Sequence, residues 1–136
     1  DTYIEAQAGM TVSAIFARFG EADFRRRERE ACAALAGESD LVIAAGGGAL
    51  TFSENVRALS ATGDIVLLEV SAETVLKRLA GDTTRPLLQR ADKKTAVREL
   101  MAARAPLYRQ AAAFTISGEA APETTAKAIL AALGQD

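Results

Sequence analysis

Two hydrophobic rhythms alternate along the chain. A continuous apolar run at Leu41–Ala45 and a mostly apolar one at Ile65–Val70 predict strands buried on both faces of a parallel sheet, and Phe114–Ile116 predicts a third, shorter strand. Elsewhere the apolar positions recur at helical spacing. They predict helices over Tyr3–Ala8, Thr11–Arg18, Glu21–Ala36 and Ser53–Ala61, then from Ser71 or Ala72 to Ala80, over Lys93–Ala112 with a kink at Pro106, and from Pro122 to Leu133. Thr11 and Ser13 are candidate caps, and Gly9, Gly20, Gly37, Asp40 and Gly63 mark the breaks. The polar stretch Gly81–Ala91, with Pro86 inside it, predicts a loop. Strands alternating with helices through short turns imply an α/β fold around a parallel sheet, in one domain.

Composition narrows the function classes. A net charge of −2 provides no electrostatic footing for nucleic acid or an anionic membrane surface, and the apolar runs are too short to span a bilayer. With one cysteine there is no internal disulfide, which fits a reducing cytoplasm. No histidine is present, so a histidine-dependent triad is excluded and a zinc site is disfavoured. Cys32 falls on the inner side of its helix as a small buried residue.

Four features resist a purely structural explanation. Gly46, Gly47 and Gly48 follow a strand directly, at the end where open α/β sheets bind ligands, although a flexible turn would use the same residues. They match neither GxxxxGK[ST] nor GxGxxG. Arg104 sits inside the apolar stripe Val97, Leu100, Met101, Leu107, Tyr108, Ala111, either snorkelling at its edge or turned inward toward an anion. Arg25 follows the core-facing Phe24 at the rim of the sheet, on a helix whose Glu21–Arg25 and Asp23–Arg27 spacings suit ordinary surface ion pairs. Arg85, in the polar loop, is either plain loop or a cation that covers phosphates.

Taken in order, "DTYIE" at 1–5, "GMTVSAIFARFGEADFRRRE" at 9–28, "VIAAGGGAL" at 42–50, "RPLL" at 85–88 and "RAPLY" at 104–108 resemble the shikimate kinase family. The resemblance implies a three-layer α/β/α P-loop kinase fold and ATP-dependent phosphorylation of the 3-hydroxyl of shikimate, within aromatic amino acid biosynthesis. It implies that Asp1 contacts the substrate hydroxyls and is the candidate base. Arg25 and Arg104 would hold the substrate carboxylate, and the glycines, Gly47 foremost, would add backbone contacts. Arg85 would be the lid arginine in a lid over residues 82–95, with Arg78, Ala120 and Pro122 beside the nucleotide. The implied ligands are shikimate, ATP and Mg²⁺, in a cytoplasmic monomer.

The family's GxxxxGK[ST] motif precedes "DTYIE" and does not occur in residues 1–136. The chain therefore reads as the C-terminal portion of such a kinase, without the central first strand, the phosphate-cradling loop or the Mg²⁺-binding hydroxyl, and with little activity alone. Near Ala120 it also lacks the basic side chain that many relatives place against the adenine. Two competing readings use the same residues. One is a kinase-like domain that only senses a cyclic acid; the other is a related P-loop kinase for another hydroxylated acid such as gluconate. The combination of Arg25, Arg85 and Arg104 favours the shikimate enzyme.

Overall fold

A computed structural model describes residues 1–79 and 93–134, side-chain detail at residue 93 excepted. Seven α-helices and two strands are assigned among them, and they fall into two compact units, residues 1–63 and residues 64–79 with 93–134.

In the first unit the breaks lie where the glycines predict them. Helix α1 (Thr2–Ala8) ends on Gly9 at φ 72, a left-handed turn that a residue without Cβ adopts freely. Thr11 then caps α2 (Val12–Phe19), its Oγ1 accepting from Ala14 N at 3.1 Å, while Val12 N donates to Glu5 Oε2 at 2.8 Å. Gly20, at φ 88, turns the chain into α3 (Glu21–Ala36). Ile4, Val12, Ile15, Phe24 and Ala31 form the core of these three helices, with Phe16 stacked 5.0 Å from Phe24. After Asp40, itself at φ 60, the chain runs without assigned secondary structure to Gly46, passes a 3₁₀ turn (Ala49–Thr51) and enters α4 (Ser53–Ser60).

The predicted strand Leu41–Ala45 is not one. The segment has no assigned secondary structure, no strand among the described residues forms a ladder with it, and Val42 is 103% exposed. An apolar run specifies a chain that favours the sheet interior; pairing is what makes it a strand, and no strand among the described residues supplies it.

The second unit contains β1 (Val66–Glu69), α5 (Ala72–Arg78), α6 (Lys93–Ala111), β2 (Phe114–Ser117) and α7 (Pro122–Ala132). β1 and β2 pair in parallel, with Val66 opposite Phe114 and Glu69 opposite Ser117. The predicted boundaries agree to within two residues. Helix α6 carries Pro106 within its span, and Val97 and Ala96 are buried on its inner side. Proline opens α7, where its missing N–H is no loss.

Candidate functional site

The glycine turn is closed by its own hydrogen bonds. Ala49 N donates to Gly46 O at 3.1 Å, and Gly48 O accepts both Thr51 N (3.2 Å) and Thr51 Oγ1 (2.6 Å). From the first turn of α4, buried Asn55 reaches back, its Nδ2 donating to Ala49 O at 2.9 Å. The carbonyls of Gly48 and Ala49 thus each accept two hydrogen bonds.

Two faces of that turn meet charged side chains. A Cβ on Gly46 would sit 3.1 Å from Asp1 Oδ1 and 3.5 Å from Glu28 Oε2. A Cβ on Gly48 would sit 2.7 Å from Arg25 Cζ, inside any real carbon contact. The Arg25 guanidinium thus fills the space a side chain at Gly48 would need, whereas Gly46 only meets the ends of two carboxylates closely. Asp1, Arg25, Gly46 and Gly48, all singled out in the sequence, are brought together within the first unit.

Arg25 is more enclosed than a rim residue. Its side chain is 14% exposed, Nη1 donates to Glu28 Oε1 at 2.8 Å, and Cζ lies 5.3 Å from the Phe24 ring and 5.5 Å from the Phe52 ring. Nε is within ion-pair range of Glu21 at 3.5 Å yet forms no hydrogen bond, making it a buried donor without an acceptor. Such a donor is costly unless a ligand completes it. The surface pair foreseen between Asp23 and Arg27 is present at 2.7 Å, and together with Arg26 it holds the Asp23 carboxyl below the usual carboxylate range.

Glu28 is the residue that the sequence reading passed over. It lies in the charged run Arg25–Glu30 and looks like one more solvated acid, but it is 4% exposed and reaches both Arg25 and the Gly46 turn. The signal was its placement one turn after Phe24–Arg25, on the inward side of α3. Its charge, after burial itself, pushes the thiol of Cys32 up.

In the second unit, Arg78 donates through Nη2 to Gly118 O at 2.8 Å and more weakly to Glu119 O at 3.5 Å. That places it against the loop containing Ala120 and leading to Pro122. Glu119 fastens the same loop to the start of α5: it accepts from Ser71 N at 2.6 Å and from the Thr74 hydroxyl. Arg104 is half-buried on α6. Arg85 and most of the expected lid over 82–95 lie outside the described residues; only its last three positions fall in α6.

A family model described as Shikimate kinase matches residues 1–134. Among curated proteins, the shikimate kinase of Xylella fastidiosa is 41% identical over 130 residues, covering 96% of this chain and 72% of that protein. The shikimate kinase of Bordetella pertussis is 40% identical over 125 residues, covering 92% of this chain and 59% of the relative. The chain thus spans between 59% and 72% of the length of these two relatives. Among solved structures, shikimate kinase from Acinetobacter baumannii in complex with shikimate superposes with a TM-score of 0.92 at 35% identity, over 98% of this chain and 76% of that one. The enzyme from Bacteroides thetaiotaomicron gives 0.88 at 29% identity, over 98% and 81%.

Proposed function

The chain belongs to the shikimate kinase family, and we propose that its first unit carries the shikimate-binding residues of an enzyme that moves the γ-phosphoryl of ATP to the 3-hydroxyl of shikimate. The observation that carries this reading is the Arg25 guanidinium, nearly enclosed beside side-chain-free Gly48 with its Nε unmet. A planar carboxylate supplies the missing acceptor, and arginine presents two parallel N–H groups to it where lysine would present a single point charge. Glu28 anchors one end of the fork by accepting from Nη1 at 2.8 Å.

Asp1 is assigned to the reacting end. Its carboxylate lies against Gly46, on the same turn that meets Arg25. In the transfer, the substrate hydroxyl oxygen attacks the γ-phosphorus, its proton passes to the Asp1 carboxylate, and ADP departs with the bond to the β-phosphate oxygen. Little covalent assistance is needed, so alignment of the hydroxyl is the main contribution of these residues. The family resemblance assigns Arg78, Ala120 and Pro122 to the nucleotide and gives Arg85 the role of adding positive charge to its phosphates. Among the described residues no three carboxylate or thiol groups gather around one point, and a Mg²⁺ ion accompanying ATP would be held mainly by the phosphates and water. The chemistry derived from them is positional and acid–base.

Calorimetric titration with shikimate tests the reading. Arg25→Ala is expected to weaken binding by about 1.5–3 kcal/mol, the range for a hydrogen bond to a charged group. Arg104→Ala tests separately the assignment that the family resemblance makes for the second arginine. Wild-type affinity in Arg25→Ala would remove this site from the reaction.

A further inference from the structure

Phe52 occupies a position that neither the helix nor the core explains. It is the N-cap of α4, where Ser, Thr, Asp or Asn would satisfy a free N–H, and it makes no side-chain cap. Its ring is 44% exposed and lies outside the hydrophobic core cluster. Its backbone, however, is held firmly. Phe52 O accepts from Asn55 N (3.1 Å) and Val56 N (3.2 Å), its N–H points to Ala49 O at 3.5 Å, and Asn55 Nδ2 grips that same carbonyl. The ring so anchored lies 5.5 Å from Arg25 Cζ.

Arg25 needs that contact. Its one short hydrogen bond, Nη1 to Glu28, fixes a point and leaves the guanidinium free to tilt about it. Gly48 limits motion in one direction, since its Cα approaches the guanidinium with no Cβ between. Phe24 covers the group at 5.3 Å, but Phe24 is committed to the core with Phe16. Phe52 is the second ring, and its π face attracts the cation while resisting tilt of its plane.

We propose that Phe52 is a positioning residue: it acts through Arg25, holding the guanidinium plane so that its open N–H edge meets the substrate carboxylate. The proposal rests on the reading of Arg25 given above. The α4 helix gives up a conventional cap for a ring that orients the binding cation.

Calorimetric titration of shikimate into Phe52→Leu, Phe52→Tyr, Phe52→Ser and Arg25→Ala variants tests it. Leucine keeps apolar bulk but lacks the π face, so affinity should fall by about two- to fivefold, the worth of one partly exposed cation–π contact. Tyrosine restores the face and should return wild-type affinity. Serine restores the cap, so it should raise the thermal midpoint while weakening binding, opposite signs that a merely structural role for Phe52 would not produce. Wild-type affinity in Phe52→Leu, or equal weakening in Phe52→Tyr and Phe52→Leu, overturns the role of Phe52 provided Arg25→Ala still binds weakly. Wild-type affinity in Arg25→Ala overturns the carboxylate reading itself.

Discussion

A methyl group at Gly48 would sit 2.7 Å from Cζ of Arg25, whereas one at Gly46 would first meet Asp1 Oδ1 at 3.1 Å. The two glycines should therefore respond differently to the same substitution. Gly48→Ala drives a Cβ into an enclosed guanidinium braced by Glu28 and two rings, and overpacking of that kind costs about 1–3 kcal/mol. Gly46→Ala meets the end of an exposed Asp1 side chain that has room to turn aside. Urea denaturation should show the larger loss for Gly48→Ala, and shikimate titration should show the weaker binding there too. Glu28→Gln belongs to the same scale. Removing its charge takes away the close, buried counter-charge of Arg25 and leaves the exposed Glu21 carboxylate at 3.5 Å, and shikimate affinity should fall although Glu28 is assigned no contact with the ligand.

At the scale of the element, the helix starts carry separable contributions. Thr11 caps α2 through Ala14 N, and Thr11→Ala should cost about 0.5–2 kcal/mol in chemical denaturation, the usual range for a lost cap. The start of α5 is capped twice, by Ser71 through Thr74 N and by Glu119 from the loop before α7. Hydrogen bonds from Thr74, then from Ser71 N–H, with the charge of Arg78 behind them, lower the Glu119 carboxyl below its ordinary value. Because the folded state favours the charged form, its stabilisation is complete above the ordinary carboxylate pKa and is lost as pH falls through the lowered one. Glu119→Gln should be less stable than wild type at neutral pH, and thermal melts of the two should converge as the pH is taken into the acid range. A gap between them that did not change with pH would show that charge is not what Glu119 contributes.

At the scale of the whole molecule, the described residues divide into two compact units, and candidate site residues fall in each. The first holds Asp1, Arg25, Glu28 and the glycine turn; the second holds Arg78, Arg104 and the loop with Ala120 and Pro122. Cys32, buried in the first, is an internal reporter of that unit. Burial, and then the nearby Glu28 charge, push its thiol up, so its thiolate is scarce and shielded. Labelling by a thiol reagent at neutral pH should be slow in the native chain and should accelerate with denaturant alongside the loss of helical circular dichroism. Fast labelling without denaturant would mean that the first unit opens locally around α3.

Helix starts and stops were legible in the sequence, since Gly9, Gly20, Thr11 and Pro122 act through local backbone geometry that neighbours do not alter. So was the approach of Asp1 and Arg25 to Gly46 and Gly48, through a resemblance carried by five ordered motifs. What the sequence did not determine was anything that depends on a partner distant along the chain. Leu41–Ala45 has the composition of a buried strand, but a strand exists only in its ladder. Glu28 reads as one solvated acid among many, and only the packing of α3 against the glycine turn buries it beside Arg25. Phe52 reads as a hydrophobic residue at a loop end, and only the tertiary structure sets its ring over a cation. Local preference belongs to the residue and its neighbours; burial and charge pairing belong to the folded whole.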